Sequence, residues 1–144
     1  MAQDIDAVML LCDAAETANG KLYVLGGGWS QVLVPDTPFA MALAVKLAVP
    51  WDQANTRFTI EARLVTDDGQ RALTPEGEPI RAHGQIEVGR PPGLKPGEAL
   101  DAPFVLRFTV TLPPGGYVWE LLIGPPEGHV AARAAFRVRA APGT

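Results

Sequence analysis

At 144 residues, with 47% apolar and 19% charged side chains, the chain is long enough to bury one core and too apolar to be a disordered segment. A net charge of −4 with no basic run argues against a nucleic-acid partner, no apolar stretch reaches the length of a membrane-spanning helix, and the lone Cys12 excludes an intrachain disulfide. The opening MAQDID is acidic where a secretion signal is basic, so the expected location is the cytoplasm. The 15 glycines and 14 prolines imply many turns between short elements.

Period-2 alternation of apolar and polar residues recurs along the chain. Residues 5–12, IDAVMLLC, are apolar on both faces, as a buried central strand would be. Asn19-Gly20 is a hairpin signal because both residues tolerate positive φ. Residues 14–18 read as part of a longer connection, with KLYVL at 21–25 as the return strand. Gly26, Gly27 and Gly28 predict a bulge or a close backbone approach, and an extended segment resumes at Trp29.

Residues 39–49, FAMALAVKLAV, place Phe39, Met41, Leu43, Val45, Leu47 and Val49 on one side and Ala40, Ala42, Ala44, Lys46 and Ala48 on the other. A helix capped at Thr37-Pro38 is the rival reading, since alanine is the best helix former. Strict alternation over eleven residues favours the strand. Further strands are expected at 56–66, 80–88, 104–112, 117–123 and 130–138, with turns at Asp67-Asp68-Gly69, at 113–116 and at 124–128. The Pro/Gly-rich segment 90–103 is too long for a tight hairpin and is expected to cross between sheets. The prediction is a single domain over residues 1–144: an all-β antiparallel sandwich of about eight to nine strands, immunoglobulin-like or Greek-key, with little or no helix.

The segment LCDAAETANGKLYVLGGGWSQV at 11–32, followed by VPWDQAN at 49–55, resembles a family of small uncharacterised bacterial proteins. LPPGGYVWELLIG and FRV near the C-terminus are similar to the end of the same family. The resemblance implies a sandwich fold. It carries no activity, ligand or catalytic residue that could be transferred.

Candidate chemistry is sparse. His83 and His129 lie at no metal-ligand spacing, and neither Ser30 nor Cys12 sits in a nucleophile motif. The pattern calls for no catalytic residue, metal or cofactor. Asp13, Asp67 and Asp68 with a histidine could form a hydrolytic site only if the fold gathered them. Among the tryptophans, Trp119 alternates with core positions; Trp51, beside Asp52 in a loop, is the one expected to be partly exposed, and Trp29 follows the glycines. Trp51, Asp52 and Trp29 are therefore the candidate contacts for a sugar or small ligand. Charge is also uneven: residues 1–20 hold Asp4, Asp6, Asp13 and Glu16, while Arg133, Arg137 and Arg139 close the chain. These are either solvated edges or neighbouring segments that attract.

A strand facing water on one side should be polar there. The Ala40, Ala42, Ala44, Lys46, Ala48 side is not, so either the chain itself or a second subunit covers it. The leading expectation is a non-enzymatic module that binds a protein partner or forms a homodimer or other homo-oligomer through this face. The alternatives are a carbohydrate or small-molecule binder at Trp51 and, third, the loop-carboxylate hydrolase.

Overall fold

Each alternating segment must bury one face, and the chain meets this demand by stacking two sheets. The computed structural model describes residues 5–34, 38–125 and 128–140. In chain order the strands are β1 (Asp6–Ala18), β2 (Lys21–Gly27), β3 (Gln31–Val34), β4 (Phe39–Val49), β5 (Arg57–Thr66), β6 (Arg81–Glu87), β7 (Leu100–Val110), β8 (Gly115–Gly124) and β9 (His129–Ala140). The first sheet runs β2-β1-β4-β7 and the second β3-β9-β8-β5-β6. The fold is the predicted all-β sandwich.

The row Met41, Leu43, Val45, Leu47 and Val49 of β4 is buried in the core with Trp119, Leu121 and Ile123 of β8. The Trp119 Nε1–H points at Met41 Sδ, 3.3 Å away, and the Phe108 ring centre lies 4.2 Å from that of Trp119. The helical alternative for 39–49 does not occur. β4 is flanked on both sides, pairing with β7 from Phe39↔Val110 to Val49↔Leu100 and with β1 from Asp6↔Ala48 to Cys12↔Ala42. A strand lets six alternate apolar residues enter one core, which outweighs the helix propensity of the alanines.

Three details depart from the sequence reading. Residues 14–18 are strand rather than connection, and the turn is Asn19-Gly20 alone, with φ of +52° and +72°. Both positive values mark a type I′ turn, whose twist matches the strands it joins. Residue-for-residue pairing with β2, from Ala18↔Lys21 to Ala14↔Leu25, makes a strand of a segment with little intrinsic β preference. The connection expected over 90–103 does cross from the second sheet to the first, but its last four residues, Leu100 to Pro103, already belong to β7. Finally, β3 lies parallel to β9. It enters the second sheet from the first, so no hairpin constrains its direction.

The Tyr117 hydroxyl donates to the Pro113 carbonyl at 2.6 Å and ties the turn to the start of β8. Burial pushes its pKa up, with the Asp67 charge adding to the shift, so the hydroxyl keeps the proton it donates. Asp4, Thr37 and the Pro126-Glu127 part of the last turn lie outside the described residues.

Candidate functional site

The outer face of the first sheet is where the alanine row lies. β1 pairs with β4 only as far as Cys12↔Ala42. Beyond that point it leaves β4 and carries the β1–β2 hairpin across the outer face, so that Cys12, Ala15 and Leu22 pack on Ala42, Ala44 and Val105. Arg107 bridges the opening between the two layers, donating to the Ala15 carbonyl at 2.8 Å. Ala42 and Ala44 are only 2% exposed. The expectation that they meet a second subunit is therefore corrected: small side chains permit close approach, and the layer that approaches is the chain's own hairpin. Ala40 and Lys46 stay exposed, Ala48 is half-buried, and Lys46 is paired with Asp101 at 3.1 Å.

Apolar surface remains around this cover. Val8 is 68% exposed, Leu10 40%, Tyr23 50%, Val24 36% and Leu25 71%. Leu10 and Val24 meet over Gly27. Gly26 has φ +59°, and the Asp13 carboxylate fills the space a Cβ there would take, so this glycine serves the predicted close approach. The sequence reading missed these residues because IDAVMLLC looks like a buried central strand and KLYVL simply like its return strand. Their apolar residues on both faces were the available signal, and only the sheet order shows that β2 is an edge.

Trp51 sits half-buried in a single 3₁₀ turn, Trp51–Gln53. The Arg90 guanidinium lies 3.6 Å over its ring and donates to its carbonyl at 2.9 Å. An open cleft of about 420 Å³ runs beside it, lined by Asp6, Ala48, Pro50, Trp51 and the exposed Asp52. Trp29 lines no part of that cleft; it packs edge-on against Phe136, ring centres 5.9 Å apart. The three candidate ligand contacts are thus split between two places.

The titratable groups are dispersed. Cys12 is fully buried and its thiol donates to the Ala42 carbonyl at 3.5 Å. Burial, with the Asp13 charge adding to it, pushes the thiol pKa up, which keeps it protonated and a poor nucleophile. Asp13 lies in the first-sheet hairpin. Asp67 lies at the second sheet, 3.6 Å from Arg137, and His83 stands across from Glu61 on β6. The hydrolytic set is not brought together. Among the described residues, no three of His, Cys, Asp and Glu are grouped so as to hold a metal ion.

The outer face of the second sheet is a lattice of ion pairs. Glu120 accepts from Arg63 at 2.9 Å and from Arg133 at 3.3 Å, while Glu61 lies 3.8 Å from both Arg71 and Arg81. Burial raises the Glu120 carboxyl, but the hydrogen bonds and charges of Arg63 and Arg133 outweigh it and hold the pKa below the ordinary value. The C-terminal arginines find partners here: Arg133 on Glu120, Arg137 on Asp67 and Arg139 on the Gln31 side chain at 2.8 Å.

Among the described residues, no helix is long and apolar enough to cross a membrane. No curated protein matches the chain. The model of a family of unknown function, DUF6941, matches residues 7–139, from the second residue of β1 to the penultimate residue of β9, and the chain belongs to that family.

Proposed function

We propose that this protein is a non-enzymatic self-assembling module that binds a second copy of itself through the β1–β2 hairpin. The observation that carries the reading is the cluster of Val8, Leu10, Tyr23, Val24 and Leu25, left exposed on a molecule whose opposite face is covered with ion pairs. Exposed large apolar side chains concentrated on one hairpin, with Leu10 and Val24 meeting over Gly27, are the kind of surface that a contact covers. The dispersal of Cys12, His83, Asp13 and Asp67 supports a role without chemistry. A cytoplasmic location belongs to the same reading, since the fold keeps its one thiol buried and uses no disulfide. Light scattering at micromolar concentration tests the proposal. Twice the chain mass of 15.3 kDa is expected, and a strict monomer overturns it.

The cleft beside Trp51 favours a second reading, a small-ligand or carbohydrate site using Trp51 and Asp52. Arg90 already covers one face of the indole, so a sugar would stack on the other. Titration of tryptophan fluorescence with a panel of sugars tests this, and an unchanged spectrum removes it.

A further inference from the structure

Beyond Cys12 the β1–β2 hairpin leaves β4, and residues 13–26 form their backbone ladder only with one another. Among the described residues, one hydrogen bond joins this segment to the rest of the protein, from Arg107 to the Ala15 carbonyl at 2.8 Å. Its packing is as slight. Between residues 13 and 26 only Ala15 is buried and only Leu22 is half-buried; the others are exposed. Ala15 and Leu22 rest on Cys12, Ala42 and Ala44, with Val105 at the margin, and Val24 meets Leu10 over Gly27.

A two-stranded hairpin is marginal in water without a third strand or a packed face. Local stability follows the apolar contacts that a segment buries. In β4 the whole row from Met41 to Val49 is buried in the main core. The hairpin sets against this one alanine, part of a leucine and one hydrogen bond. Both of its ends can bend. β1 gives up β4 after Cys12↔Ala42, and on the return side Gly26 and Gly28 take φ of +59° and +85°, which glycine adopts without strain.

We propose that residues 13–26 form a flap that opens as one unit while the sandwich stays folded, with Arg107 as its latch and Cys12 as the group it uncovers. Opening breaks the Arg107–Ala15 bond and lifts Ala15 and Leu22 from Ala42 and Ala44. The β1 residues up to Leu11 stay paired with β4. The alanine row is therefore covered in one state and bared in the other, and the Cys12 thiol, 0% exposed in the closed state, meets solvent only in the open one. The flap does not depend on the self-association proposed above.

Cys12 is the only cysteine in the chain, so reaction of the full-length protein with the thiol reagent DTNB reads this opening directly. Rates are taken at the dilute limit of a concentration series, where self-association does not enter, and at urea concentrations below the unfolding transition. A flap exposes little surface, so the rate is expected to rise only weakly with urea and to exceed what global unfolding allows. Arg107→Ala removes the latch and is expected to speed labelling about tenfold or more. Glu120→Gln weakens the outer face of the other sheet, and the labelling rate is expected to stay at the wild-type value, because closed and open states lose the same contacts. Equal acceleration by the two variants, or a rate that follows the global transition in urea, overturns the flap, since the thiol would then be reached only by unfolding the sandwich. A rate that Arg107→Ala leaves unchanged overturns it as well, because the latch would hold nothing.

Discussion

On the outer face of the β3-β9-β8-β5-β6 sheet, Glu120 and Glu61 are each held between two arginines. On the outer face of the β2-β1-β4-β7 sheet, Ala42 and Ala44 lie under a hairpin, and Val8 and Leu10 face outward beside it. Both faces belong to sheets packed on one core, yet one is finished for water and the other for another protein layer. The charged face follows the usual division of an antiparallel sheet, with polar side chains out. The alanine face shows that a small-residue row on a strand asks for a cover without naming the cover. Here the chain supplies it over two alanines, and the apolar surface moves outward to the strands that do the covering.

The sharpest way to break this comparison is to place the same charge on both faces. Ala44→Asp buries a carboxylate among apolar side chains under the hairpin, and urea denaturation is expected to show a loss of about 3–5 kcal/mol. Loss of less than 1 kcal/mol would mean that the hairpin lifts away freely. Arg107→Ala comes next. It leaves the Ala15 carbonyl without its donor and opens the edge of the cover, at an expected cost of about 1–3 kcal/mol. Faster amide exchange at residues 13–18, ahead of the rest of β1, would locate the effect.

On the charged face, Glu120→Gln removes the anion between Arg63 and Arg133 and is expected to cost about 1–2 kcal/mol at neutral pH. The folded carboxyl titrates below its ordinary value of 4.5, so the stability it adds is full above that value. It is lost as pH falls through the lower folded value. The gap between wild type and Glu120→Gln should therefore close on acidification, and a gap that widens instead would contradict the ion-pair account. The smallest effect is expected for Ala135→Asp. This exposed residue lies between Arg133 and Arg137 along β9, and the change should stay within about 0.5 kcal/mol. Comparable losses for Ala135→Asp and Ala44→Asp would erase the difference between the faces.

Much of the fold was legible. Alternation at 39–49, 56–66 and 130–138 named the core rows, and Asn19-Gly20 and Asp67-Asp68-Gly69 named their turns; the latter is closed by the Gly69 N–H on the Thr66 carbonyl at 2.8 Å. Residues 13–18 were not legible as strand, because Asp-Ala-Ala-Glu-Thr-Ala has weak β preference and is held by its partner across the hairpin. The candidate site was half legible. The alanine row pointed to the right sheet, but the exposed residues are Tyr23, Val24 and Leu25, whose pattern is the same on a central strand as on an edge.

The amino-acid order by itself determined the core rows of the strictly alternating segments, such as Met41 to Val49 and Phe58 to Leu64, since period-2 alternation is a local property that each segment carries alone. The tertiary structure alone decided which strand lies at an edge, which carbonyl Arg107 caps and what lies over Ala42 and Ala44. Those outcomes depend on pairing between residues far apart in the chain, and a strand's pattern states which face is apolar without stating what will sit against it.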